Sequence, residues 1–557
     1  MKFLVLAISG VLLGGCAYYK TPKYHSSEGK YPAFARKDSL IGSNGPFRSC
    51  FDVHFYELDI KLDPKKKNVG GSVTILFSIL TKTSRIQLDL SDRLAISSVV
   101  NKEGRQLNFE REYDSFFIEL DREVSVGEMY EVKVCYDGSP KKAKKPPWKG
   151  GLVWKKKYGK DWCGVACEDD GAHIWWPLKD LISDKPDSVR CSFTIPTGLK
   201  CVSNGRLISE QRVDDKHNRF TWQTSYPINP YNVTFYIGDF IRFELPYNGK
   251  YTPFSIEFYV LHEHFAKARE HFKQVEKIIY DYEELFGPYP WPKDGYKLVE
   301  SPFEGMEHQS AIAYGNGFKN VKYGNYDYII LHETAHEWWG NSLTCCDMAD
   351  LWLHEGFATY AEMLYEEKEE ASWLYLGSYG SNRWYIKNKR PIVGPEGVAY
   401  SNYRDGDIYS KGAVVLHMLR RTIEEDSVFF DILHTFATRH RDTCARTGDF
   451  IALVNSKTGE DYQWFFDQYV YRREVPEFRY CLVPINAGDC KLYYRWNPAK
   501  TNTDFKLPVR IKVRNKTHRI VPSCEVQSMV LSGSNVYSTT IDLEDYVVVK
   551  PVKYRDL

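Results

Sequence analysis

The rhythm of apolar and polar residues changes along the chain. From about 48 to 245, apolar positions alternate with polar ones, as in Phe55-Tyr56-Glu57-Leu58-Asp59-Ile60-Lys61-Leu62 and Ser72-Val73-Thr74-Ile75-Leu76-Phe77. A period of two predicts strands, and turn signals such as Asn204-Gly205 separate the runs, so this part reads as an all-β domain. From about 246 the spacing becomes helical. His264 to Phe286 is predicted as a helical segment stopped by Gly287-Pro288, and helical segments dominate to about 475. Residues 476–557 return to alternation, as in Leu507-Pro508-Val509-Arg510-Ile511-Lys512-Val513. The fold class implied is multidomain α+β. The sequence contains no internal repeat and no low-complexity segment.

The first residues follow a different logic. Lys2 precedes an apolar run from Phe3 to Leu13, which is too short to span a bilayer as a mature helix. Leu13-Gly14-Gly15-Cys16 follows and resembles the bacterial lipobox. Residues 1–15 are thus expected to be a lipoprotein signal peptide, with Cys16 acylated and holding the chain to a membrane. Residues 16–47 are polar and read as a tether. The expected location is the cell envelope, on a periplasmic or surface-facing membrane.

Composition narrows the picture only slightly. The 557 residues include 74 Lys+Arg and 73 Asp+Glu, a net charge of +1 that gives no electrostatic case for nucleic acid as a partner. The Lys-rich stretch from Lys141 to Lys160 is broken by Pro146-Pro147 and Gly150-Gly151 and is expected to be a solvated loop. Thirteen Cys are present; the Cys163/Cys167 and Cys345-Cys346 pairs lack a second Cys/His pair at zinc-finger spacing and read as structural.

The strongest chemical signal is His332-Glu333-Thr334-Ala335-His336. Tyr328, Leu331, Ala335 and Trp338 form an apolar stripe that predicts a helix here. On a helix, positions i and i+4 share a face, so two imidazoles can converge on one Zn²⁺ while Glu333 reaches a neighbouring water. Glu355 is the third candidate ligand, in Leu351-Trp352-Leu353-His354-Glu355-Gly356-Phe357-Ala358, with Asp350 a candidate N-cap for a second helix. Eighteen residues, 337 to 354, separate His336 from Glu355. Three protein ligands leave a fourth position open, as at catalytic zinc sites. His262 and His264, two apart, do not share a helix face and are expected not to be ligands.

This constellation resembles the aminopeptidase N family of gluzincin zinc metallopeptidases. The resemblance rests on HETAH, the eighteen-residue gap and Glu355 within WLHEGFA. Phe303-Glu304-Gly305-Met306-Glu307-His308-Gln309 is similar to the family's G-x-M-E-N motif, and Tyr409-Ser410-Lys411-Gly412 to its Y-x-K-G. It covers about residues 48 to 475. It implies an N-terminal β domain (48–245), a thermolysin-like, mostly helical catalytic domain (246–475) and a small C-terminal β-sandwich (476–557).

The implied activity is hydrolysis of N-terminal residues from peptides with a free N-terminus, using one Zn²⁺ held by His332, His336 and Glu355. The resemblance makes Glu333 the general base and Tyr409 the oxyanion donor, with Tyr400 and Tyr403 as nearby rivals. It places Glu307 on the substrate's α-amine and has Gly305 and Met306 align the peptide backbone. Glu168, in the turn before Trp175-Trp176-Pro177, falls where relatives supply a second amine-binding side chain.

Two positions depart from the pattern. His308 and His354 each replace an Asn and are expected not to bind metal, since each directly follows a motif Glu. The short β segment after 475 implies a more open cleft than in larger relatives, admitting longer peptides. Three alternatives are weaker. A zinc-free binding or structural lipoprotein conflicts with an intact ligand set and base. Epoxide hydrolysis conflicts with the lack of any sign of a lipid tunnel, and endopeptidase action with Glu307.

Overall fold

The computed structural model describes residues 31–557 apart from 371, 487, 514–515, 533–538 and 542–544. Cys16 and the signal segment lie outside the described residues. Alternation becomes sheet as expected. The first long strand, Phe51–Asp63, buries Tyr56, Leu58, Ile60 and Leu62 on one face; a bulge between Val53 and Phe55 resets the phase upstream. It pairs antiparallel with Asn68–Ile79 and parallel with Ser188–Pro196 inside a seven-stranded sheet. A three-stranded and a four-stranded sheet complete the N-terminal β region. Trp175 and Trp176 are fully buried in its core. They anchor the turn just before them, where the Asp170 and Gly171 N–H groups donate to the Cys167 carbonyl.

The Lys-rich stretch is only partly a loop. Gly151–Lys157 and Lys160–Ala166 pair as a hairpin, with Lys157 opposite Lys160. Leu152, Val153 and Cys163 are buried and hold its base, while the lysines project from its tip. Apolar residues inside a charged run outweighed the charge.

A five-stranded sheet follows, ordered Phe240–Tyr247, Phe254–Leu261, Tyr296–Glu300, Ile312–Tyr314, Gly305–Met306. The short strand Gly305–Met306 is its last member and pairs only with Ile312–Tyr314. The predicted segment His264–Phe286 is two helices, Phe265–His271 and Gln274–Phe286, after a 3₁₀ turn. The break at Phe272 lets that ring stack on Phe258 while Val275, Ile278, Ile279 and Tyr282 stay buried.

Three helices then surround the site: Tyr328–Ala335, Trp352–Tyr365 and Asp407–Ile423. Asp327 caps the first by accepting from the Ile329 N–H at 3.0 Å. Asp350 is not the cap of the second. It closes a 3₁₀ turn begun by Asp347, and its carboxylate accepts from Thr447 Oγ1 at 2.5 Å. The Cys346–Cys444 disulfide joins the loop between the two ligand helices to the strand at Cys444–Ala445.

Beyond these, Glu477–Pro484, Asp489–Trp496, Gln527–Ser532 and Val548–Pro551 form a four-stranded sheet, beside a second of three strands. Within the stretch read as a tether, Arg36–Gly42 is helical, and Arg48 next to it makes a fully buried ion pair with Asp89.

Candidate active site

The helix Tyr328–Ala335 and its C-cap bring His332 and His336 together, with their Nε2 atoms 3.1 Å apart. Glu355, from the first turn of the next helix, places Oε2 3.3 Å from His332 Nε2 and 3.4 Å from His336 Nε2. A tetrahedral ion with arms of ~2.0–2.1 Å needs ligand atoms ~3.3–3.4 Å apart, so this triangle has the size Zn²⁺ requires. Glu355 Oε2 is buried without a hydrogen bond. Burial alone would raise the Glu355 carboxyl, but the His332 and His336 rings outweigh it and hold it below its ordinary value.

The other ring nitrogens are engaged elsewhere. His332 Nδ1 lies 2.7 Å from Glu362 Oε1, and His336 Nδ1 lies 2.7 Å from the Trp339 carbonyl. Nδ1 is therefore the protonated nitrogen on each ring, and Nε2 is left as the metal-facing lone pair. Glu362, one helix turn below Thr359, carried no sequence signal.

Glu333 lies between the metal triangle and the sheet edge. A Cβ on Gly305 would sit 2.2 Å from Glu333 Oε1. The motif's glycine therefore makes room for the Glu333 carboxylate, besides leaving the strand edge accessible. Burial, with Glu307 nearby, pushes the Glu333 carboxyl up to about 8, against the pull of His332 and His336. Glu307 is 3% exposed and accepts from Tyr231 OH at 3.2 Å. Its own backbone carbonyl accepts from Asn341 Nδ2 at 2.7 Å. Glu307, Glu333 and His336 could also surround a cation, but that arrangement shares His336 with the first triangle.

A cavity of about 390 Å³ opens over these groups, lined by Glu168, Gly305, Met306, Glu307, Glu333, Tyr403 and Tyr409 beside the three ligands. Every described residue read from the sequence as metal ligand, base, oxyanion donor or substrate contact is in this wall. Glu168 arrives from the N-terminal β region, and its Oε1 is buried without a hydrogen bond. Burial first, then the negative charge of Glu307, raise the Glu168 carboxyl well above its ordinary value. Tyr409 stacks on His332 at 6.0 Å. Burial, then Glu355, hold its hydroxyl well above the ordinary phenol value, so it remains a donor.

The two departing histidines are away from the triangle. His308 is fully buried and pairs with Tyr236 OH at 2.6 Å; burial pushes it down to about 3. His354 Nε2 accepts from the Cys345 N–H at 2.8 Å, which ties the second ligand helix to the loop beside the disulfide. His264 sits between Glu300 and Tyr158.

Some supports were missed from the sequence. A Cβ on Gly356 would lie 2.8 Å from the Gly412 Cα, and one on Gly412 would lie 2.7 Å from the Gly356 Cα. The two helices therefore touch backbone to backbone, which sets Glu355 against Tyr409. The signal was present, since each glycine belongs to a motif. Glu337 was also missed. It accepts from the Ser310 N–H at 2.9 Å and Trp291 Nε1 at 2.6 Å, and burial pushes its carboxyl up to about 7. It joins the histidine helix to the strand segment after Glu307.

A multidomain α+β scaffold carrying two histidines on one helix, a carboxylate on the next and a base against a strand edge defines a mononuclear zinc-hydrolase class of site. Residues 270–469 match the family model described as Peptidase family M1 domain, so the chain carries such a domain. Among curated proteins, glutamyl aminopeptidase of Homo sapiens is 25% identical over 386 residues, covering 63% of this chain and 39% of the relative. Aminopeptidase B of Mus musculus is 28% identical over 185 residues, covering 31% of this chain and 26% of the relative.

Two solved structures share the fold. One, titled a two domain M1 zinc metallopeptidase bound to L-tryptophan, superposes with a TM-score of 0.67 at 22% identity, covering 78% of this chain and 97% of that one. An M1 zinc metallopeptidase from Deinococcus radiodurans bound to Tyr-Ser-Ala gives 0.65 at 21%, covering 78% and 98%. The chain spans less than two fifths of the human glutamyl aminopeptidase, at 39%.

Proposed function

We propose that this protein is a zinc-dependent aminopeptidase that releases the first residue of peptides with a free N-terminus. The observation that carries this is the juxtaposition, in one cavity, of the His332, His336 and Glu355 triangle with a second acidic pair, Glu168 and Glu307. When bound, Zn²⁺ supplies Lewis acidity, polarising a carbonyl and lowering the pKa of water toward ~7. Glu333 takes the proton of the attacking water and delivers it to the leaving amine. Tyr409 donates to the oxyanion. Glu168 and Glu307 pair with the α-ammonium and set the register at one residue. The edge strand Gly305–Met306 offers its backbone to the peptide as a neighbouring strand.

The first residue accepted is neutral or basic. Several of the curated relatives are named glutamyl aminopeptidases. Here the cavity wall carries Glu168, Asp169, Glu304, Glu307, Glu333, Glu355 and Glu362, and no lysine or arginine among the described residues. One divalent ion and one ammonium neutralise three of these charges. A carboxylate side chain ~8 Å from one unpaired carboxylate costs about 2 kcal/mol at an effective dielectric of ~20.

The test is a panel of aminoacyl-amide fluorogenic substrates, with and without chelator. Zinc-dependent release of Ala, Leu or Arg, at least ~10-fold faster than Glu, is expected. Cleavage that survives complete zinc removal, or none of any substrate, would falsify the reading.

The same proposal places the protein on an envelope membrane through lipid on Cys16. Support comes from the sequence alone: Leu13-Gly14-Gly15-Cys16 after an apolar run. No helix among the described residues is long and apolar enough to cross a membrane. Detergent-phase partitioning of the expressed chain, lost in Cys16→Ser, is the expected outcome; equal partitioning of both removes the anchor.

A further inference from the structure

Tyr403 was only a rival for the oxyanion role in the sequence. In the structure Tyr409 stacks on His332, while Tyr403 lies one ring further along the wall, 6.0 Å from Tyr409. Tyr403 is 9% exposed and lines the cavity, and its hydroxyl is buried without a hydrogen bond. A buried hydroxyl left unpaired costs ~1–3 kcal/mol, so its persistence points to a partner that arrives with the substrate.

The loop carrying Tyr403 is held from outside. The Ala399 N–H donates to the Asp38 carbonyl at 2.9 Å. The rings of Tyr31 and Phe34 pack edge-on against Tyr400 at 5.7 and 5.6 Å. Gly42 lies so close to the loop that a Cβ there would sit 2.0 Å from the Val398 carbonyl carbon. On the opposite side, Ser401 donates to Asp169, in the turn that carries Glu168. The N-terminal arm and the β-domain turn therefore clamp the loop from two directions.

We propose that Tyr403 is a substrate-contacting residue, its hydroxyl donating to a backbone carbonyl of the bound peptide, and that residues 31–42 are the strap that holds it in place. This rests on the aminopeptidase reading, since it takes a peptide as the ligand. A tyrosine hydroxyl can donate, which suits a carbonyl acceptor. The residue binds; it is not assigned the oxyanion, which Tyr409 reaches from beside the metal triangle. The strap gives the arm a part in substrate affinity besides its link to the N-terminus.

The experiment uses binding, so that it stands apart from turnover. In the full chain with zinc, Glu333→Gln is used to stop cleavage, and the Kd of a Leu-Ala-Ala tripeptide is measured calorimetrically. Adding Tyr403→Phe is expected to weaken binding ~3- to 10-fold, the worth of one net hydrogen bond. Phe34→Ala, which loosens the strap, is expected to weaken it similarly. Combined with Tyr403→Phe it should add little, because both remove the same contact.

Zinc content and thermal unfolding report whether each variant is folded. Tyr403→Phe binding the tripeptide as tightly as its parent overturns the contact. Fully additive effects of Phe34→Ala and Tyr403→Phe overturn the strap. If the wild-type chain cleaves no peptide yet the binding contrast holds, the aminopeptidase reading fails while the Tyr403 contact stands.

Discussion

The metal triangle and the opposite wall of the cavity are built in different ways. His332, His336 and Glu355 come from two consecutive helices within 24 residues, counting 332 to 355, and the two imidazoles are held by Glu362 and the Trp339 carbonyl of the same stretch. Glu168, Asp169 and Tyr403 come from a β-domain turn and a distant loop, joined through Ser401 and an N-terminal arm. The triangle is set by helix geometry, which tolerates little displacement. The wall is set by contacts between regions more than two hundred residues apart, so weak changes far from the metal can alter it. On the proposed function, the chemistry belongs to the first side and substrate choice to the second.

Breaking the metal side should produce the largest effect. Glu333→Gln removes only the base: zinc content is expected to stay at one per chain, while kcat falls ~10²–10⁴-fold. Near wild-type turnover in that variant would remove Glu333 from the chemistry. Tyr409→Phe takes away one oxyanion donor, and kcat should drop ~10²–10³-fold with KM little changed; steady-state kinetics on an alanyl amide checks this.

An intermediate effect tests the join between the helices. Gly412→Ala puts a methyl 2.7 Å from the Gly356 Cα. Separating the helices should cost ~1–3 kcal/mol of stability. Because Glu355 and Tyr409 move apart, kcat/KM should also fall by up to ~10²-fold. Unchanged unfolding temperature and activity would show that the backbone contact is not needed.

The wall should respond more gently. Glu168→Ala is expected to raise KM for free peptides several-fold with zinc retained, and N-acetylated peptides should be poor substrates of the wild type. Equal cleavage of acetylated and free peptides would dissolve the contrast between the two sides.

The smallest effect is a dependence on pH. Glu333 is a base only when ionised, so cleavage should fall as pH drops. Burial sets its carboxyl at about 8 without a cation, and zinc draws that value lower, placing the acid limb below it. In zinc-stripped protein the folded value lies above the ordinary 4.5, so the folded state binds the extra proton. Stability from this group is then full below pH 4.5 and is lost as pH rises through about 8. Thermal unfolding across that range with chelator should show the decline, and zinc should flatten it.

Much of the fold was written locally. Alternation in Phe55–Leu62 and helical spacing around His332 need only neighbouring residues to be read, and both became the expected elements. The failures share one cause. The segment His264–Phe286 is interrupted at Phe272 although Ala268, Phe272, Val275 and Ile279 keep helical spacing across the break, so the period does not record where it falls. Lys141–Lys160 became half hairpin because Leu152 and Val153 found a core. Asp350 was drawn to Thr447, ninety-seven positions on, and the helix starts after Leu351 without a side-chain cap.

The sequence by itself determined the helix that carries His332, Glu333 and His336 and the convergence of the two imidazoles, since an i, i+4 pair is placed by the 3.6-residue turn alone. It also marked Gly305, as a backbone contact for the peptide, and Gly356 and Gly412 without a role. Only the tertiary structure decided that Gly305 makes room for Glu333, that Gly356 and Gly412 meet, and that Tyr403 faces the cavity unpartnered. Close approach and burial are properties of pairs of distant residues, and no local pattern encodes the space between them.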